Sequence, residues 1–321
     1  MSTIVGIDVS KATLDVVLLT TSQPLHKQVS NTLEGFVQLH QFLQPHQPIT
    51  RIGMEASGRY AEPLLHFLLS HAYPVSYLNP KQIHAFAHVY LHYNKTDKQD
   101  ALLIARYCQH HTPALYQPTT PQQQQLQQRA RRLHALEKMR QQEVNRLQSG
   151  LHDPFVLEQI RSLIAHFDTL IAHTKQAIDA LIDECHHLRQ QHTLLVSIKG
   201  IGDKTAALLL AELGDITRFD SPRQLAAFIG LTPQHFQSGT SVHKRASISK
   251  QGNARLRAAL YMPAIVAKRW NKPCRQFAQR LEAARKPGKV IIVALMRKLV
   301  HQIFAILKSR QPFDPDFALP T

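Results

Sequence analysis

The chain has 321 residues, 44% of them hydrophobic, which allows about two domains with proper cores and excludes a disordered chain. No apolar run reaches about 18 residues and no basic leader precedes the first aspartate, so we expect neither a membrane span nor a signal peptide. Its three scattered cysteines argue against a disulfide scaffold and a cysteine zinc site, and they fit a reducing cytoplasm.

The first hundred residues combine strand-like apolar runs with amphipathic helical patterns, which predicts an α/β layer fold. The short turn Ser10–Ala12 joins the first two strands, and Asn31 or Thr32 caps the first helix. A break at Asn79–Pro80 precedes the last helix of this region. Strands are predicted over residues 3–9, 13–20, 25–30, 51–56 and 74–78, and helices over 32–43, around 64–68 and over 81–91.

A segment rich in Pro, Thr and Gln at 113–125 marks a domain boundary, and a helix is predicted after it over 126–150. From residue 157 apolar side chains recur in alternating steps of 3 and 4, the heptad seam of a coiled coil. Because Pro154 lies in the bend, we expect an antiparallel hairpin that protrudes as an oligomerisation stalk; an ordinary two-helix layer on a core is the alternative. The seam consists of Leu157, Ile160, Ile164, Phe167, Ile171, Thr174, Ile178, Leu181, Cys185 and Leu188.

Three parts are thus predicted, 1–112, 113–192 and 193–321, and the last opens with a helix-hairpin-helix, SIKGIGDKTAALLLAEL. Its isoleucines pack the tight turn, and its glycines allow unusual backbone angles. Exposed amides at such a helix start bind phosphate oxygens without reading sequence, and two lysines add charge. A loop between core helices is the alternative. The predicted contacts are Lys199, Gly200, Gly202 and Lys204.

The net charge of +16 is concentrated in this C-terminal part. Residues 1–100 hold seven Lys/Arg and seven Asp/Glu, whereas residues 238–310 hold 17 Lys/Arg and only Glu282. A block this basic attracts a polyanion, and nucleic acid is the usual one. A solvated basic surface or a membrane-facing patch is the alternative.

Four carboxylates lie at positions where they could converge. Asp8 ends the first predicted strand and Glu55 ends a later one, while Asp97 and Asp100 share one face at the start of a helix. Converging carboxylates need a cation, and two Mg²⁺ ions about 4 Å apart can assist phosphoryl transfer. Alternatively, Asp97 is a helix N-cap, Asp100 a partner of the helix dipole and Asp8 a turn residue.

A second candidate metal feature is a histidine stripe, His84, His88 and His92, which recurs every four residues on one predicted helix face. Neutral imidazoles at this spacing can bind zinc, but no glutamate accompanies them as in the HExxH pattern. We therefore favour a polar stripe that faces DNA over a metal site.

The segment 228–264 carries three serines, Ser238, Ser241 and Ser247, near Gly-flanked turns and basic residues. A serine in this setting is either a phosphate-binding hydroxyl or a nucleophile whose transition state arginines and metal ions stabilise. The residues alone favour the phosphate contact. The neighbouring cations, predicted to contact nucleic acid, are Lys244, Arg245, Lys250, Arg255 and Arg257.

GIDVSK, MEASGRY and NKTDKQDA, in this order, resemble the DEDD-type insertion-sequence transposases of the IS110 class and the Piv-like invertases. The resemblance implies an RNase H-like (RuvC-like) N-terminal domain whose four acidic residues match Asp8, Glu55, Asp97 and Asp100. The stretch GLTP-x₄-SGTS, followed by SKQGN and LRAALYMPA, is similar to the C-terminal transposase domain of the same family. There the first serine of the motif, here Ser238, is the nucleophile, which reverses the preference drawn from the residues alone.

The resemblance covers residues 4 to about 312, apart from the linker and the stalk. It implies a DNA transposase that cleaves and rejoins strands through a serine–DNA intermediate, with Mg²⁺ or Mn²⁺ at the four carboxylates. The implied partners are double-stranded donor and target DNA, a structured guide RNA from the element, and further copies of the chain as a dimer or tetramer. The implied location is the bacterial cytoplasm, at the nucleoid. A Holliday-junction-type metal-dependent endonuclease and a non-catalytic nucleic-acid-binding protein are the alternatives.

Overall fold

The chain divides into two units, Met1–Pro118 and Thr119–Thr321. The computed structural model describes residues 3–20, 23–56, 58–89, 96–238 and 242–316, with the side chains of Arg59, 235–238 and 242–246 left out. The division falls inside the Pro-, Thr- and Gln-rich segment predicted as a boundary, and the long helical hairpin belongs to the second unit. The predicted separation into three parts stays a prediction.

The first unit is an α/β layer built on one five-stranded sheet, and its strands and helices lie close to their predicted bounds. The strands are β1 (Thr3–Val9), β2 (Thr13–Leu19), β3 (Leu25–Ser30), β4 (Ile49–Glu55) and β5 (Val75–Leu78). The helices are α1 (Leu33–Leu43), α2 (Glu62–Ser70), α3 (Pro80–Val89) and α4 (Asp97–His111). The strand order is β3-β2-β1-β4-β5, with β1, β2 and β3 antiparallel and β4 parallel to both β1 and β5.

The alternation of side chains along β1 assigns each face of the sheet to a different layer of helices. Val5, Ile7 and Val9 pack in a core that includes apolar residues of α1 and α2. Ile4 belongs to a second core with residues of α3 and α4, so α4 covers the face that Gly6 and Asp8 share with Ile4. The position of Asp8 thus follows from a buried strand whose two faces are both covered.

The second unit is mostly helical, as predicted, with one two-stranded ribbon. Its helices are α5 (Pro121–Leu147), α6 (Pro154–Glu184), α7 (His186–Val196), α8 (Asp203–Leu213), α9 (Pro222–Ile229), α10 (Ala254–Ala259), α11 (Tyr261–Trp270), α12 (Lys272–Ala283) and α13 (Gly288–Ser309). The ribbon consists of β6 (Pro233–Ser238) and β7 (Val242–Ile248), which pair antiparallel.

α5 and α6 pack as an antiparallel helical hairpin. Arg140 forms two hydrogen bonds with the carboxylate of Asp168, and Arg129 donates to the carbonyl of Ala177, so ascending positions on one helix meet descending positions on the other. Every predicted seam residue is buried or half-buried. The helix nevertheless ends at Glu184, because Cys185 adopts an extended backbone, and the last seam residue lies on α7.

Among the described residues, helix α13 is the one helix whose length and apolar composition would allow it to cross a membrane. Eight of its apolar side chains are buried in the core of the second unit. Its hydropathy is therefore explained as that of a core helix. All three cysteines are free thiols in the structure.

Candidate active site

The parallel strands β1 and β4 bring Asp8 and Glu55 to the same edge of the sheet. The two strands pair with Ile7 opposite Met54, so the next residues, Asp8 and Glu55, lie side by side near the ends of the strands. Neighbouring strands lie about 4.8 Å apart, and residues in register point to the same face. Both carboxylates therefore lie on the face that α4 covers.

Two glycines allow α4 to approach this face closely. A Cβ atom added at Gly6 would collide with the backbone of Ala101 and Ala105, and one added at Gly53 would collide with the Cys108 sulfur. Because Ala101 lies over Gly6, the turn of α4 that precedes Ala101 lies toward Asp8. That turn carries Asp97 and Asp100.

The start of α4 is fixed by Thr96, whose side chain accepts a hydrogen bond from the Gln99 amide at 3.3 Å. Thr96 is therefore the N-cap, and the alternative that assigns this role to Asp97 is wrong. Asp97 is the first residue of the helix, and its side chain is free of the capping role.

The carboxylates influence one another electrostatically. Burial and, in decreasing order, the negative charges of Asp100, Asp97, Glu55 and Asp15 together raise the pKa of Asp8 from 3.8 to about 6. Among the residues that the structure describes, no three His, Cys, Asp or Glu side chains stand in positions to hold one ion together. The other three predicted carboxylates, Glu55, Asp97 and Asp100, nevertheless lie near enough to Asp8 to repel its charge. This donor set, oxygen atoms with excess negative charge, fits a hard divalent cation.

Sequence reasoning missed a fifth carboxylate, Asp15, which pairs directly across β1–β2 with Asp8. Its side chain is 5% exposed and accepts hydrogen bonds from Gln28 Nε2 at 2.9 Å, with His26 Nε2 at 2.8 Å from its other oxygen. A polar residue inside the apolar strand TLDVVLL is the signal that could have identified it.

The raised pKa of Asp8 predicts a stability effect with a definite sign. The folded protein binds this proton more tightly than the unfolded chain, so stability falls as pH rises from about 4 to about 6. Asp8→Asn removes the charge, and we expect the metal-free variant to melt at a higher temperature than the native protein at about pH 8. Melting curves in a chelator should show this difference shrinking toward pH 4; a variant that melts lower at pH 8 would contradict the repulsion.

Gly6→Ala tests the seating of α4. The new methyl group has no room, so either the helix or the strand must move, at a cost of about 1–3 kcal/mol or more. We expect the variant to unfold at a lower urea concentration. We also expect Asp97 and Asp100 to raise the pKa of Asp8 less than they do in the native protein. Gly288→Ala, at a position with open space, is the matched control. Equal stability of the two variants would show that α4 is not packed against the glycine.

The histidine stripe lies on α3, where the His84 and His88 rings are 4.6 Å apart and both side chains are exposed. His92 lies outside the described residues. The choice between a polar stripe and a metal site therefore stays a prediction.

The segment predicted as a helix-hairpin-helix runs from α7 through residues 197–202 into α8, and the motif itself stays a prediction. Ile198 and Ile201 are buried, and Gly200, with φ +112°, lies against α11, where an added Cβ would stand 2.8 Å from the Pro263 carbonyl oxygen. Gly202 begins α8 without a side-chain cap. Lys199 is exposed, whereas Lys204 is ion-paired with both oxygens of Glu137 at 2.7 Å.

Ser238 is the last residue of β6, paired with Val242. The side chains of Ser238, Lys244 and Arg245 lie outside the described part of the chain, as does Ser241 altogether. Lys250 and Arg255 are exposed.

The base of the ribbon is held by backbone hydrogen bonds from Ser249 to Thr232 and from Asn253 to Phe228, both 2.8 Å. Arg257 donates to the carbonyl of Ile229 at 2.9 Å, so this predicted nucleic-acid contact also fixes the chain locally.

A buried carboxylate connects this base to the rest of the unit. The Glu212 side chain, 2% exposed, accepts two hydrogen bonds from Arg131 on α5 and one from Asn253 Nδ2 at 2.7 Å. These partners hold the pKa of Glu212 below its usual value despite burial, which acts in the opposite direction. Asn253 also caps α10. The buried Glu212 carboxylate on α8 therefore connects α5 to the segment that follows the ribbon.

The N-terminal residues 5–156 match the DEDD transposase domain of the IS110 family, and residues 192–279 match the domain described as "Transposase IS116/IS110/IS902 family". The pilin gene-inverting protein of Moraxella lacunata is 36% identical over 97% of this chain and 98% of its own length. The chain belongs to the IS110 family of transposases. The homologous protein of Moraxella bovis is likewise 36% identical over the same shares.

Membership of the IS110 family makes the chain a DNA recombinase of the transposase class, as the motifs predicted. Among solved structures, Thermus thermophilus RuvC in complex with a Holliday junction substrate aligns with 36% of this chain and all of its own length. Its TM-score is 0.28 at 14% identity, too low to support a conclusion. The roles of individual residues in this IS110-family chain therefore depend on its own geometry.

Proposed function

We propose that this transposase cleaves and rejoins DNA through a covalent serine–DNA intermediate, with Mg²⁺ or Mn²⁺ held by Asp8, Glu55, Asp97 and Asp100. The observation that carries the proposal is the seating of the first turn of α4 beside the ends of β1 and β4, made possible by Gly6 and Gly53. The strand order agrees with the RNase H-like domain that the motifs imply.

When bound, the divalent ion supplies positive charge that stabilises the phosphoryl-transfer transition state. The four carboxylates would hold it, and Asp15 adds negative charge from the neighbouring strand. Because Asp8 gains protons at about pH 6, acid should compete with the ion for this site.

In the proposed chemistry the Ser238 oxygen forms a bond to phosphorus, and one bridging P–O bond breaks. The serine proton is lost and the departing deoxyribose oxygen gains a proton, so atoms and charge balance. The phosphodiester is exchanged rather than hydrolysed, which allows a second DNA hydroxyl to reverse the step without ATP.

Recognition of nucleic acid is assigned to the basic C-terminal block and to the turn at 197–202. Sequence-independent contacts of this kind suit double-stranded donor and target DNA whose sites are chosen by base pairing with a structured guide RNA. The helical hairpin is assigned to assembly of a dimer or tetramer, since α6 leaves Leu163 exposed beside its seam. We place the reaction in the bacterial cytoplasm, at the nucleoid.

The test is a recombination assay on plasmid substrates with the divalent ion titrated, followed by denaturation to trap protein–DNA adducts. We expect metal-dependent strand exchange and an adduct that maps to Ser238. Metal-dependent cleavage without an adduct would instead support a junction-type endonuclease. Binding without cleavage at any metal concentration would support a non-catalytic nucleic-acid-binding protein.

A further inference from the structure

Trp270, the chain's single tryptophan, is held in an unusual position at the end of α11. Its side chain is 64% exposed, although a buried tryptophan contributes far more to stability than an exposed one. The guanidinium of Arg269 lies over the indole, 5.1 Å from the ring centroid. The result is a flat aromatic surface next to a cation, both open to solvent.

The backbone beside this ring is anchored. Asn271 is fully buried, and its side-chain amide donates to the Lys199 carbonyl at 3.3 Å and to Gln302 Oε1 at 3.1 Å. Its carboxamide oxygen accepts from the Cys274 amide at 3.2 Å and so caps α12. These bonds fix Trp270 next to the turn at 197–202, which also contacts α11 through Gly200.

The segment that carries Trp270 is strongly basic in sequence, although Met262 and Val266 on the same face of α11 are also exposed. Residues 254–290 contain ten Lys/Arg and one acidic residue, Glu282, which is paired with Lys268 at 2.6 Å. Two copies of such a surface would repel each other, and the cores of protein–protein interfaces are depleted of charge. The negative charge of a polyanion, in contrast, complements this basic surface. Since the exposed ring can stack on any base, the chemistry favours a nucleic-acid strand with unpaired bases.

We propose that Trp270 and Arg269 form a stacking platform for an unpaired base of a strand whose phosphates contact the turn at 197–202. The proposal rests on the nucleic-acid function assigned above and makes it more specific, since it names single-stranded rather than duplex structure as the ligand. Strand exchange and a folded RNA both present such bases.

The single tryptophan makes the test direct. The full-length protein is titrated with an oligothymidylate of about 16 nucleotides and with a duplex of equal length while indole fluorescence is recorded. We expect saturable quenching by the single strand. Labelled-oligonucleotide anisotropy should show Trp270→Ala weakening single-strand binding about 5- to 150-fold, with duplex binding changed less than about twofold. Trp270→Phe should retain most of the affinity.

Leu33→Ala, which truncates an apolar side chain of similar exposure in the other unit, is the control and should leave both affinities unchanged. Unquenched fluorescence at saturating single strand, or equal affinities for Trp270→Ala and the native protein, would overturn the platform. A fluorescence change with protein concentration alone would assign the ring to contact with a second copy instead. An intact Ser238 adduct in Trp270→Ala would leave the recombinase proposal standing in each of these cases.

Discussion

Asp100→Asn, or the matching amide at Asp8, Glu55 or Asp97, is expected to reduce strand cleavage by roughly a thousandfold or more. The reason is loss of a ligand to an ion that contributes several kcal/mol to the transition state, where each 1.4 kcal/mol or so is a tenfold change in rate. Single-turnover cleavage of a labelled substrate at saturating Mg²⁺ measures the effect.

Comparing the cleavage rate and the melting temperature of the same variants distinguishes loss of a metal ligand from loss of the fold. Glu34→Gln changes an exposed carboxylate of the same unit and should leave cleavage unaltered. The expected combination at Asp8 is lost cleavage with an increased melting temperature, since the repulsion among the carboxylates is relieved. Near-native cleavage by any two of the four amide variants would refute the metal site.

Ser238→Ala is expected to eliminate both the covalent adduct and strand cleavage while DNA affinity stays nearly native. A hydroxyl that merely contacts phosphate contributes about 1 kcal/mol, so its removal would weaken binding about fivefold and leave turnover in place. Loss of the nucleophile, in contrast, leaves no group that can form the bond to phosphorus. The measurement is transfer of label from DNA to protein after denaturation, followed by mapping of the modified residue.

Ser241→Ala, in the same motif, is the matched control and should still form the adduct. Ser238→Cys should retain a trace of activity, because a thiolate is also a nucleophile. An adduct on Ser241 or on a tyrosine, or efficient cleavage by Ser238→Ala, would move the assignment to the metal-dependent endonuclease.

Most of the sheet of the first unit was predictable because β1, β2 and β5 are largely apolar and buried, and turn residues follow the strand ends. Asp8 and Glu55 follow from strand ends alone, and the grouping of Asp97 with Asp100 follows from helical spacing. The ribbon that carries Ser238 was not predicted, since PQHFQS and VHKRASI show little apolar alternation. A two-stranded ribbon is marginal by itself, so its formation depends on long-range contacts at its base.

Other features of the site depend on distances that no local pattern contains. From the sequence alone, glycines at 6 and 53 would be expected to weaken their strands. The structure shows that they leave room for α4 to pack against the sheet. The partnership of Asp15 with Asp8 requires the hairpin register, and the pairing of Lys204 with Glu137 joins residues 67 positions apart. The heptad pattern continues across Cys185 although the helix does not, because periodicity records burial and not backbone continuity.

The buried carboxylate of Glu212 anchors the base of the β6–β7 ribbon that carries Ser238. The two strands of the ribbon leave the unit at Thr232 and Ser249. The hydrogen-bonded set of Arg131, Glu212 and Asn253 fixes the chain at this base. Because Arg131 lies on α5, we expect displacement of the ribbon to be transmitted to the long helical hairpin.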